Sequence, residues 1–144
     1  MTKVESFELD HQQVETPYIR EAAVYSHQDN CVVSKYDIRF CQPNQEALEP
    51  AVMHSIEHLA AEYLRDMLDG VIDISPMGCL TGFYLNLFGE RELEVVKQEV
   101  LAALKEASQA EEVMATNPKQ CGNYKLHNPK AAKERLARFI KEIN

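Results

Sequence analysis

Between Pro50 and Leu68 apolar residues recur at helical spacing, with Met53, Ile56, Leu59, Ala60, Tyr63, Leu64 and Met67 on one stripe. A stripe that wide obliges the chain to supply a second layer for the helix to pack on. The same segment carries the pentad His54-Ser-Ile-Glu-His58. On a helix, positions four apart lie on one face, about 6 Å apart along the axis. Two neutral imidazoles at that spacing can chelate one divalent cation, and a carboxylate beside them, Glu57, can move protons. A purely solvated reading leaves unexplained why three polar groups gather on one side of an otherwise apolar helix.

The flanking segments suggest what the helix packs on. Val4 to Leu9 alternates apolar and polar residues, as a half-buried strand does. Two extended runs, Tyr18 to Tyr25 and Val32 to Phe40, flank the polar Ser26-His-Gln-Asp-Asn30, which reads as a hairpin loop. After a connection containing Pro43 comes the metal-binding helix, with Gly70 as its stop. Val71 to Ser75 is a compact apolar strand, Pro76-Met-Gly78 a turn, and Leu80 to Phe88 a returning strand. Further helices are expected from Glu90 to about Ala107 and from Ala131 to Ile140, with a loop over Asn117-Pro-Lys-Gln-Cys-Gly122 between them. This order predicts an α+β fold, a largely antiparallel sheet with helices packed against it, in a single domain spanning residues 1–144.

Composition excludes several partners. There are 23 acidic against 15 basic residues, a net charge of -8, which argues against a nucleic-acid backbone as ligand. The basic cluster from Lys130 to Arg138 is diluted by apolar positions and reads as the solvated face of a helix. Gly70 to Gly89 has only Asp73 as a charge, but Pro76, Gly78, Gly82 and Asn86 break it, so no membrane span is expected. The first residues contain no apolar leader, and a cytoplasmic protein is expected. In a reducing compartment Cys31, Cys41, Cys79 and Cys121 are free thiols, metal ligands or nucleophiles rather than disulfide partners.

A catalytic cation site wants a third protein ligand and one open position. Cys121 is the candidate, with Gly122 to let the backbone come close. Cys79 ends a tight turn between two apolar strands, where a thiol beside a cation can serve as base or nucleophile. Cys31 and Cys41 read as packing residues, and His27 and His127 as incidental. Ser6, His11 and Arg39 offer a hydroxyl, an imidazole and a guanidinium with no chemistry evident from each alone.

Taken together the segments resemble the S-ribosylhomocysteine lyase family (LuxS, the autoinducer-2 synthases). The resemblance rests on Val4-Glu-Ser-Phe-Glu-Leu-Asp-His11, Tyr36-Asp-Ile-Arg-Phe-Cys-Gln-Pro-Asn44, His54-Ser-Ile-Glu-His-Leu59, Ile72-Asp-Ile-Ser-Pro-Met-Gly-Cys79, Thr81-Gly-Phe-Tyr84 and Lys119-Gln-Cys-Gly122, in the family's order. It implies that His54, His58 and Cys121 hold one divalent metal per subunit, Fe²⁺ in the cell with Zn²⁺ or Co²⁺ able to substitute. It implies Glu57 and Cys79 as the acid/base pair, with Ser6, His11 and Arg39 binding the sugar and Asp73 near the homocysteine end. The implied substrate is S-ribosylhomocysteine, cleaved to homocysteine and the autoinducer-2 precursor 4,5-dihydroxy-2,3-pentanedione. A homodimer with its sites at the subunit interface is implied as well.

Two other readings stay open on the sequence. The inverted His-x-x-Glu-His motif also serves metallopeptidases, which take a downstream glutamate as third ligand. A non-enzymatic domain with a closed structural metal needs a fourth protein ligand, which Cys79 could supply.

Overall fold

The computed structural model describes residues 2–143. Its strands are β1 (Tyr18–Ser26), β2 (Val32–Arg39), β3 (Val71–Pro76) and β4 (Gly82–Phe88). Its helices are α1 (Glu5–Glu8), α2 (Pro50–Met67), α3 (Leu93–Ser108) and α4 (Pro129–Glu142). The strands form one sheet in the order β1-β2-β4-β3, with every neighbouring pair antiparallel. The expected α+β class and the helix-on-sheet layering therefore hold.

Alternation along the strands separates the two faces of the sheet. Tyr36 and Ile38 of β2, Ile74 of β3, and Phe83, Leu85 and Leu87 of β4 are buried in the core. They share it with Val52, Met53, Ile56, Leu59, Ala60 and Leu64 of α2, which packs on β3 and on both later helices. Phe139 of α4 stacks on Phe40 at 4.2 Å between ring centroids, and Phe40 meets Phe83 edge-on at 5.5 Å. Lys35, Asp37 and Arg39 of β2 fall on the opposite side, which is largely polar.

Element starts follow local chemistry. Pro50 at the first turn of α2 costs no hydrogen bond, because that amide would have no partner in any case. Gly70, with φ +74, turns the chain from α2 into β3 across the three residues 68–70. Helix α4 starts at Pro129, two residues before the expected Ala131: Asn128 caps it by accepting from the Ala131 amide at 3.2 Å, and Pro129 follows. Similarly α3 begins at Leu93 rather than Glu90.

Four expectations fail. Residues 4–9 do not form a strand; Glu5–Glu8 is a single helical turn with no buried residue, because no sheet edge pairs with it. It is tethered instead by Arg20 of β1, whose Nη1 donates to Glu5 Oε1 at 2.7 Å. Cys31 is exposed rather than packed, although Cys41 is buried as expected. Met67 at the end of the helical stripe is exposed. The basic cluster is not wholly solvated either, since Arg135 turns inward and donates to the Phe40 carbonyl at 2.9 Å. No described helix is long and apolar enough to cross a membrane.

Candidate active site: a histidine–cysteine cluster and a thiol pocket

His54 and His58 project from α2, while Cys121 and His127 come from the segment between α3 and α4. One donor atom from each of the four lies within 4.8 Å of the others. Backbone carbonyls set the imidazole tautomers. His54 Nδ1 donates to Leu126 O at 2.7 Å and His58 Nδ1 to Met114 O at 2.8 Å. Both Nε2 lone pairs are thereby left to face the Cys121 sulfur, at 3.4 and 3.9 Å. Metal–sulfur and metal–nitrogen bonds of about 2.3 and 2.05 Å at a tetrahedral angle put the donors roughly 3.6 Å apart. The two separations bracket that value, so the donor set fits a divalent cation.

The surrounding loop is built to deliver these groups. Asn117 O accepts from the Cys121 amide at 3.0 Å, and Asn117 Oδ1 accepts from the amides of Lys119 and Gln120 at 3.1 Å. Ala115, with φ +58, reverses the chain just after the Met114 carbonyl that holds His58. Gly122 has no close-approach role, since a Cβ there would meet nothing within 4 Å. Glu57 is half-buried beside His58 in a shallow pocket with Ala61, Glu62, Met114 and Ala115.

His127, which the sequence left incidental, belongs to the cluster. Its ring stacks on His54 at 3.9 Å between centroids. Burial, reinforced by the neighbouring His54 and His58, pushes its pKa down to about 4, so it is neutral at physiological pH. Its six-residue separation from Cys121 matches no metal-ligand spacing, so only the folded loop reveals it.

A second group of side chains assembles at the strand ends. The buried Asp37 carboxylate grips Arg39 in two bonds, Nε to Oδ1 at 3.0 Å and Nη2 to Oδ2 at 2.9 Å. Burial opposes the Arg39 cation, but Asp37 outweighs it and raises the guanidinium pKa further. The remaining Nη1 donates to Thr81 Oγ1 at 2.9 Å and stands 4.0 Å from Cys79 Sγ. Thr81 Oγ1 is itself 3.0 Å from that sulfur. Gly82 makes the approach possible, because a Cβ there would lie 2.3 Å from the Ile38 carbonyl oxygen. Leu80 holds a left-handed φ of +62 beside Cys79, a conformation a branched residue keeps only where its surroundings impose it.

His11, Arg39, Cys79 and Thr81 line one cavity of about 340 Å³ with the segment 43–47. An adjoining cavity of about 380 Å³ adds Ser6, Phe7 and Tyr84 to His11, Arg39 and Cys79. His11 Nδ1 donates to Leu9 O at 2.9 Å, which leaves Nε2 as an acceptor. Gln42 pins the N-terminal segment there by donating to Val14 O at 2.7 Å and accepting from Thr16.

Ser6, His11, Arg39 and Cys79 are thus brought together, as are His54, His58 and Cys121, with Glu57 on the rim of the second group. Asp73 joins neither; it is exposed on the edge strand β3 and bonded to Ser75. Neither cavity around Cys79 includes a residue of the histidine–cysteine cluster. Among the described residues the cluster contains no carboxylate and no Cys79, against the peptidase reading and against Cys79 as a fourth ligand.

The model of the family described as S-Ribosylhomocysteinase (LuxS) matches residues 4–144. This chain belongs to the LuxS family. It is 48% identical over 134 residues to the S-ribosylhomocysteine lyase of Clostridium botulinum (strain Alaska E43 / Type E3), covering 93% of this chain and 89% of that protein. The lyases of Deinococcus radiodurans and Enterococcus faecalis are each 46% identical, covering 93% of this chain and 85% and 88% of theirs. Sequence reasoning about this LuxS chain singled out neither Asp37, Thr81 nor His127; the first two bond Arg39 and the third stacks on His54.

Proposed function

We propose that this chain is an S-ribosylhomocysteine lyase, a metal-dependent carbon–sulfur lyase yielding homocysteine and 4,5-dihydroxy-2,3-pentanedione. The observation that carries the reading is the aim of His54 Nε2 and His58 Nε2 at the Cys121 sulfur, each fixed by a carbonyl on its other nitrogen. His54, His58 and Cys121 would hold one divalent cation, Fe²⁺ in the cell. Bound there, the cation supplies Lewis acidity for charge developing on the sugar oxygens.

The chain's own groups account for the rest. The open-chain aldose has its carbonyl at C1, too far from sulfur at C5 to activate that bond. Two aldose–ketose shifts carry the carbonyl to C2 and then C3, each moving protons without net oxidation. Removal of the C4 proton then expels sulfur from C5; the electron pair leaves with sulfur, which takes up a proton as homocysteine. The enol left behind tautomerises to the dione. Cys79 and Glu57 share the carbon proton transfers. Arg39, aimed by Asp37, and the hydroxyl and imidazole of Ser6 and His11 hold the sugar hydroxyls in register. Asp73 would serve the homocysteine end only once a second chain brings substrate against β3.

The working unit in this reading is a homodimer with both sites shared between copies. Its support is the separation of the two residue groups, together with exposed apolar side chains beside each. Val4 and Phe7 flank the sugar-binding group, and Phe7 is 82% exposed; Met114, Tyr124 and Leu126 flank the cluster. Residues 1–144 act as one catalytic domain in the cytoplasm, where a thiol ligand and a thiol base stay reduced. The test is thiol release from S-ribosylhomocysteine by anaerobically purified, Fe²⁺-loaded protein. Steady release of free homocysteine supports the reading, and its absence in fully loaded protein overturns it.

A further inference from the structure

Distance alone would admit His127 as a fourth ligand, because its Nε2 lies 3.8 Å from Cys121 Sγ within the same cluster. The other side of the ring decides otherwise. His127 Nδ1 is 3.0 Å from the hydroxyl oxygen of Ser55, a fully buried residue of α2. Among the described residues that oxygen has one other partner, the Asn128 backbone N–H at 3.0 Å. An amide N–H can only donate. The Ser55 hydroxyl hydrogen therefore has a single acceptor, His127 Nδ1, and any other arrangement strands a buried donor. A neutral imidazole that accepts at Nδ1 carries its proton on Nε2. That is the opposite tautomer to His54 and His58, whose Nδ1 atoms face carbonyls. A protonated nitrogen has no lone pair to offer a cation.

We propose that His127 is a positioning residue and not a ligand: Ser55 locks it as the Nε2–H tautomer, and that N–H donates to the Cys121 sulfur. The inference rests on a cation being held by His54, His58 and Cys121, and it deepens that reading by explaining how the site keeps one coordination position open. A hydrogen bond to the sulfur lowers its electron donation and leaves the bound cation the stronger Lewis acid. The lock is tied to the fold, because Asn128, which fixes the Ser55 oxygen, is also the cap of α4. Stacking on His54 keeps the ring in place.

The experiment uses full-length protein loaded with Co²⁺, read by X-ray absorption and by the thiolate-to-cobalt charge-transfer band. The wild-type protein is expected to show two imidazoles, one thiolate and one exchangeable oxygen donor. His127→Phe should keep one cobalt per chain and the four-coordinate visible bands, while the charge-transfer band moves to lower energy. His127→Gln, which restores an N–H donor near the Nε2 position, should return the band toward its wild-type energy, and Ser55→Ala should displace it part-way. Three imidazoles around cobalt in the unmutated protein would overturn the inference while leaving the cation site standing, and so would an unmoved band in His127→Phe. Failure of the wild-type protein to take up cobalt would remove the cation site itself and this inference with it.

Discussion

The two reactive regions are aimed by different means. In the histidine–cysteine cluster, loop carbonyls of Met114 and Leu126 orient the imidazoles, so the backbone path between α3 and α4 does the positioning. In the thiol pocket the positioning is ionic: Asp37 and Arg39, two residues apart on β2, form a buried bidentate pair that points the free guanidinium nitrogen at Thr81 and Cys79. A carbonyl is present whatever side chain follows it, whereas a buried carboxylate is lost by a single substitution. The cluster should therefore tolerate changes in its supporting side chains better than the thiol pocket does.

Removing a donor from the cluster gives the largest expected effect. His58→Ala should lose stoichiometric metal, measured by elemental analysis, and with it all thiol release. Cys79→Ala tests the other region. It should bind metal normally, while turnover falls by about 10²–10⁴-fold, the usual contribution of a positioned acid or base. Full activity in metal-loaded Cys79→Ala would remove its assigned role.

The ionic device comes next. Asp37→Asn leaves Arg39 buried without its counter-charge and also removes one of the two carboxylates that hold Arg20, which donates to Asp37 at 3.0 Å and keeps Glu5. Breaking a buried pair from one side costs about 3–5 kcal/mol, to be measured by urea denaturation. Metal content in the protein that still folds should stay at one per chain, because no cluster ligand depends on Asp37. Loss of metal in parallel with stability would show the two regions to be coupled and would break the contrast between them.

The difference in construction also explains what the sequence revealed. The four-residue spacing of His54 and His58 is a property of one helix, so it was legible directly. Extended runs around the turns at residues 26–30 and 76–78 likewise pointed to hairpins, and β1–β2 and β3–β4 pair antiparallel, with alternating burial along β4. Alternation misled at residues 4–9, because period-2 patterning needs a neighbouring strand to become a sheet edge, and Glu5–Glu8 has none. Ser6, His11 and Arg39 were reached only through resemblance, since their grouping depends on Gln42 pinning residues 14–16 far from it in sequence. His127 was missed for a related reason. Its role depends on a serine one turn of α2 away from His58 and on the cap of α4, contacts more than 70 residues apart along the chain.

The smallest signal is also the one that bears most directly on how the regions meet. If Cys79 of one chain serves the cluster of another, neither His58→Ala nor Cys79→Ala alone can build a complete site. A mixed dimer of the two has one site with both an intact cluster and an intact thiol, and one with neither. Random association makes half of the dimers mixed, so co-expression should restore about a quarter of wild-type thiol release in a two-fold symmetric dimer. Separate refolding of each variant gives the baseline. Restoration at that level would place the two differently built regions on opposite chains, with Val4 and Phe7 covered by the partner. Mixtures as inactive as the single variants would mean that each chain closes its own site, and the separation of the cavities around Cys79 from the cluster would then need a movement within one chain to bridge it.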